Sequence, residues 1–149
     1  MTQYPDARPE TVEDGKRYEE FVAAKVRYLW GKELHFFDTK ESQIHGETQE
    51  GLEIKFDGRL KETGNLYIEM AEKSRADNKK FVPSGSFKKA DNTKVIWIGD
   101  YKEAFLFDKI KLQELSNAPQ YRHVQIPTSQ GFLIPREDAA ILAKRHLRF

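Results

Sequence analysis

Residues 45–73 read HGETQEGLEIKFDGRLKETGNLYIEMAEK, and within them Leu52-Glu53-Ile54-Lys55-Phe56-Asp57 alternates without a break between apolar and charged side chains. Such a period of two is the mark of a strand with one buried face. Leu52, Ile54 and Phe56 are expected to point into a core, and Glu53, Lys55 and Asp57 to share the opposite face. Same-face neighbours on a strand stand about 6.5–7 Å apart, so the three polar heads can converge on one small volume. A second alternating run, Leu66-Tyr67-Ile68-Glu69-Met70-Ala71, follows a break containing Gly58 and Gly64-Asn65. Strand, glycine-bounded turn and strand predict a hairpin that brings Glu69 beside Glu53 or Asp57.

A carboxylate cluster with a lysine in it has two explanations. The plain one is a half-exposed strand whose charged face serves solubility, the commoner source of a short Glu-x-Lys. The sharper one is a divalent-metal site for hydrolysing phosphodiesters. Mg²⁺ prefers oxygen ligands and uses only one or two protein carboxylates beside water and phosphate. A metal so held lowers the pKa of bound water and offsets charge on phosphate oxygens, and a neighbouring ammonium would orient the water.

These residues resemble a family. Glu53-Ile54-Lys55 is similar to the (Asp/Glu)-x-Lys half of the PD-(D/E)XK nuclease signature. The wider phrase, Gly51-x-Glu53-Ile54-Lys55-x-Asp57 followed by Thr63-Gly64-Asn65-Leu66 and Glu69, resembles small phage and bacterial proteins of that superfamily. The resemblance covers about residues 10–115 in arrangement and some thirty residues in detail. It implies an α+β fold with a restriction-endonuclease-like core: an N-terminal helix, then a mixed or antiparallel sheet with flanking helices. It implies Mg²⁺ or Mn²⁺ as cofactor, with Glu47, Glu53 and Asp57 as ligands and Lys55 and Glu69 completing the catalytic set. The chain departs from the pattern because no Pro-Asp precedes Glu-x-Lys at a suitable distance. Glu47, six positions upstream, is preferred as the first acid, and Asp38, fifteen upstream, is the alternative. A shifted register would make Asp57 and Glu69 the two acids, with Ala71 where lysine belongs and Lys73 substituting. The first helix in such folds often aims a glutamate at the site, a part open to Glu19 or Glu20, although both suit a solvent-facing helix surface.

The chain has 149 residues, no cysteine and a formal net charge of +1. One domain with a sizeable core is expected at this length, covering residues 1–149 with 1–9 as a tail. Ten Phe, six Tyr and two Trp argue against disorder. Disulfides, thiolate catalysis and cysteine-ligated zinc are excluded. There is no run of 18 apolar residues and no secretory plan at the N-terminus, so a cytosolic protein without a membrane role is expected. The net charge says little about partners, but its distribution says more. Lys73, Arg75, Lys79, Lys80, Lys88 and Lys89 crowd one stretch opposed only by Asp77. They form a candidate phosphate-neutralising surface for nucleic acid, with DNA favoured, and a solvated basic loop explains them equally well.

Outside the central stretch, Thr11 is expected to cap a helix running to Trp30, with Asp14 closing the capping box and Gly31 ending it. Leu34–Asp38 reads as a first strand, and Thr39–Glu50 as a polar loop placing His45 and Glu47 at a cleft mouth. Val95–Ile98 and Glu103–Phe107 predict a second hairpin, followed by a helix from Asp108 to Leu115. Strands are expected at 121–126 and 131–134. A last helix from Pro135 to Arg148 would end in Lys144, Arg145, His146 and Arg148, complementing its dipole. The expected function is a metal-dependent endonuclease. The alternatives are a non-catalytic nuclease-like module that binds nucleic acid or a partner protein, and an α+β protein with no nucleic-acid role. A homodimer remains open.

Overall fold

The computed structural model describes Thr2–Gln3 and residues 11–149. The expected tail at 1–9 lies outside the described residues except for Thr2–Gln3, which forms a short strand β1.

The first helix, α1 (Val12–Trp30), follows local signals closely. The Thr11 hydroxyl accepts from the Asp14 amide, the Asp14 carboxylate accepts from the Thr11 amide, and Gly31 at φ 64° closes the C-terminus. A residue with a Cβ would be strained there. Tyr18, Val22 and Val26 form the buried stripe.

The remaining elements are β2 (Leu52–Phe56), α2 (Leu60–Thr63), β3 (Asn65–Glu72), β4 (Val82–Pro83), β5 (Val95–Gly99), β6 (Glu103–Asp108), α3 (Lys109–Leu115), β7 (His123–Ile126), β8 (Ser129–Pro135), α4 (Arg136–Leu142) and β9 (Arg145–Arg148). The fold is α+β with two mixed sheets. One has the order β1-β7-β8-β3-β4, the other β2-β5-β6-β9. Among the described residues, β1–β7 and β2–β5 are the parallel pairs and the other pairings are antiparallel.

The layers follow from side-chain alternation. Ile54, Trp97, Ala104 and Leu106 on one face of the four-stranded sheet pack against Tyr18, Val22 and Val26 of α1. On its other face Ile96, Ile98, Phe105 and Phe107 meet Leu66, Ile68, Phe132 and Ile134 of the five-stranded sheet. The order is therefore helix, sheet, sheet. Burial of this apolar area is the main favourable contribution to folding. Tyr18 is locked within the first interface: its hydroxyl donates to the Asp100 carbonyl and accepts from the Trp97 indole, each at 3.0 Å.

Three expectations are corrected. The β2–β3 hairpin does not form, because residues 60–63 make a helical turn, with Leu60 wholly buried, that carries the chain from one sheet to the other. Leu34–Asp38 is not a strand; Phe36 makes a single bridge to Thr48. The last helix stops at Leu142, and Arg145–Arg148 pairs with β6 as an edge strand, so the terminal basic residues answer no helix dipole. His146 instead bonds Glu103 at 2.9 Å and stacks on Phe105.

Candidate functional site

Strand β2 is an edge of its sheet, and its polar face turns toward the five-stranded sheet. Glu53 is in register with Ile96 and Lys55 with Ile98, so both charged residues stand on the inter-sheet face at its margin. The sheets leave a cleft of about 390 Å³ there, lined by Glu53, Lys55, Asp57, Tyr67, Glu69, Glu72, Lys73, Ser86 and Ser129 among others. The Lys55 ammonium lies 4.0 Å from a Glu53 oxygen and 3.9 Å from a Glu69 oxygen. The predicted meeting of Glu53, Lys55 and Glu69 occurs, but across two sheets.

Glu69 is held from the other side. Ser129 has one hydroxyl proton and donates it to Glu69 Oε1 at 2.8 Å, so the 2.7 Å contact between Tyr67 and Ser129 has the phenol as donor. The resulting line runs from Tyr67 through Ser129 to Glu69 and on to Lys55. Burial pushes the Tyr67 phenol up to about 12, which keeps its proton in place at neutral pH. A register shift after Glu69 bends β3 at this point. Gly85 at φ 55° lies against the Glu69 backbone, where a Cβ would come within 2.9 Å of the carbonyl oxygen.

Charge in the cluster is unevenly shared. Burial works against the Lys55 ammonium, but Glu53, Glu69, Glu47 and Glu72 outweigh it and raise its pKa above the ordinary lysine value. Burial raises Glu53, with Lys55 opposing and Asp91 adding to the rise. The second oxygen of Glu53 is buried and has no hydrogen-bond partner among the described residues.

Two predicted ligands are engaged by the backbone. Asp57 is 7% exposed, and its oxygens accept from the Arg59 amide at 3.3 Å and the Tyr67 amide at 2.9 Å. It ties the end of β2 to β3 across the sheets. Burial lifts it to about 6, against those two amides. Glu47 seals the open edge of β2 by accepting from the Ile54 amide at 2.8 Å, next to Thr48, whose hydroxyl accepts from the Leu52 amide and donates to the Leu52 carbonyl. Burial, with the Ile54 amide opposing and Glu19 and Glu53 adding, pushes Glu47 up to about 8.

Glu47 does face a smaller second cleft, of about 270 Å³, together with Glu19, Glu53, Lys88 and Asp91. Glu53 belongs to both clefts. The preferred first acid and the shifted register therefore correspond to two sides of one carboxylate. Asp38 is exposed and lines neither cleft. Glu20 is exposed. His45 is exposed and packs beside Phe37, which lines the second cleft.

The basic stretch is divided. Lys73 lines the main cleft, donates to the Asn78 carbonyl and sits 4.5 Å from the Phe81 ring centre. Arg75 pairs with Asp77 at 3.1 Å. Lys79, Lys80, Lys88 and Lys89 are exposed. Tyr67, Thr128 and Ser129 are not legible as site residues in the sequence, since each reaches the cleft through pairing between distant strands.

The donors fit a hard cation in part. The unpartnered oxygen of Glu53 and the carboxylate of Glu69 match the one or two oxygen ligands Mg²⁺ takes from protein. Among the described residues, no group of three His, Cys, Asp or Glu is arranged to hold a metal. No helix among them is long and apolar enough to cross a membrane. No family model matches the chain, and neither a curated protein nor a solved structure matches it.

Proposed function

We propose that the inter-sheet cleft hydrolyses phosphodiesters of nucleic acid, with DNA favoured, as a metal-dependent nuclease of the PD-(D/E)XK type. The observation that supports this reading is the position of Lys55, about equidistant from two carboxylates at the rim of a cleft. The reading rests on that cluster and not on strand order, because the antiparallel hairpin set expected of a restriction-endonuclease-like core is not made by β2 and β3.

Glu53 and Glu69 would hold Mg²⁺ or Mn²⁺, with Glu47 as a half-buried neighbour. The metal would supply a more acidic bound water and neutralise phosphate charge. Lys55 keeps its proton, so it attracts a phosphate oxygen and orients the incoming water. Ser129, backed by Tyr67, fixes the Glu69 carboxylate before substrate arrives. Asp57 holds the two strands in place.

The test is cleavage of duplex, single-stranded and branched DNA and of RNA with Mg²⁺ or Mn²⁺, comparing the natural chain with Glu53→Gln. Loss of cleavage in the variant at an unchanged melting temperature supports the assignment, and equal cleavage by both rejects it. The absence of a three-acid group among the described residues favours a second reading, a nuclease-like module that binds nucleic acid or a partner protein without cutting. Calorimetric titration separates the two: the enzyme takes up Mn²⁺ at the cleft and loses it on Glu53→Gln, whereas the binding module takes up none.

A further inference from the structure

Strand β9 ends the four-stranded sheet, and among the described residues nothing pairs with its outer side. The Phe149 amide donates to the Lys102 carbonyl at 2.9 Å, and Leu147 stands opposite Ala104. Inward and outward hydrogen bonding alternates along an antiparallel edge strand. Leu147 and Phe149 therefore turn their main chain to β6, and His146 and Arg148 turn theirs outward as open donors and acceptors. The border is also aromatic and basic. Phe149 and Trp30, 39% and 37% exposed, stand on its α1 side. The Lys25 ammonium lies 5.0 Å from the Phe149 ring centre, and the Arg145 guanidinium 5.9 Å from that of Trp30. Among the described residues, Lys25, Lys102, Arg145 and Arg148 make no ion pair. The acids of β6 beside them are already engaged, Glu103 by His146 and Arg136, and Asp108 by Lys144.

We propose that the β9 edge docks an extended, acidic peptide segment of a partner protein, which joins this sheet as an added strand. The surface is separate from the cleft and does not depend on its chemistry. Open N–H and C=O groups side by side match another peptide main chain, whereas a phosphate backbone supplies acceptors alone. Cations left without acids call for carboxylates, which a second copy of the same edge does not bring. The half-exposed rings of Trp30 and Phe149 suit the apolar anchors of such a segment.

The test is a titration of the full chain, followed by amide NMR spectra, with a short blocked peptide in which Glu and Val alternate. The same peptide with Lys in place of Glu, and a short oligothymidylate, are the controls. At low salt the acidic peptide should bind at least about tenfold more tightly than the basic one, and should slow amide exchange at His146 and Arg148. Arg145→Glu together with Arg148→Glu should reverse that preference. Arg148→Pro withdraws an outward N–H and no bond to β6, a change an edge strand tolerates. It should weaken the acidic peptide more than Arg148→Gln does, at a similar melting temperature. Equal affinity for the two peptides, a preference that the double reversal leaves in place, or slowed exchange at other segments instead overturns the proposal. Tighter binding of oligothymidylate at this edge overturns it in favour of nucleic acid, and self-association through β9 overturns it in favour of a second copy.

Discussion

Lys55 and Glu69 lie on strands of different sheets, and their charged ends meet at 3.9 Å. With Glu53 on the same strand as Lys55, this contact makes a cation between two carboxylates out of segments that never pair. Replacing Lys55 by Met should lower cleavage by at least about a hundredfold, the usual effect of removing one preorganised charge-stabilising group. Stability should fall as well, because the substitution leaves Glu53, 12% exposed, and Glu69, 21% exposed, without the cation between them. Steady-state rates and urea denaturation of the same preparation check both halves.

Asp57 should behave as a structural tie. Asp57→Ala leaves the Tyr67 and Arg59 amides without their acceptor in a site that is 7% exposed. A loss of about 1–3 kcal/mol is expected for an unsatisfied buried group. Asp57→Asn retains one acceptor oxygen and should recover part of it. A stable Asp57→Ala variant that has lost only metal uptake would reassign the residue as a ligand.

Glu47 gives stability a pH dependence whose sign is fixed. Its folded value of about 8 lies above the ordinary 4.5, so the folded state binds more protons between those limits. Its contribution is fully present below about pH 4.5 and is lost as pH rises toward 8. Glu47→Gln keeps an oxygen for the Ile54 amide and cannot ionise. The stability of the natural chain relative to this variant should therefore fall steadily from pH 5 to pH 8. Chemical denaturation at four pH values across that range decides it, and a flat difference would contradict the assignment.

The exposed lysines predict a salt effect. Removing Lys79 and Lys80 together should reduce the slope of log affinity against log salt by up to about 1.4 for a single strand, if each neutralises one phosphate. Binding titrations at several salt concentrations measure it. An unchanged slope would mean that nucleic acid runs elsewhere.

Features encoded within a few residues were readable in advance. The Thr11–Asp14 box and Gly31 bound α1, the β5–β6 hairpin forms at Gly99–Asp100, and the alternation of β2 put Glu53, Lys55 and Asp57 on one face. Partner choice between distant segments was not. A glycine-bounded break was compatible with a hairpin, but the burial of Leu60 favours a helical turn that sends β3 into another sheet beside β8. Likewise the basic run at the C-terminus suits a helix end by composition, yet Leu147 packs on the α1 side of the small sheet while His146 faces Glu103, as a strand requires. The cluster was foreseen because its alternation is local. Ser129 escapes such a reading because nothing near it in the chain announces which carboxylate it will face.

The closure of β2 by Glu47 and Thr48 also bears on how molecules meet at high concentration. A strand from a neighbouring copy that approached this border would find the Leu52 and Ile54 amides already engaged by the chain's own side chains. The opposite border, β9, is fringed by Arg145 and Arg148, and two such borders repel one another. One flank is stoppered and the other is like-charged, so stacking of this sheet into fibres is discouraged at both ends.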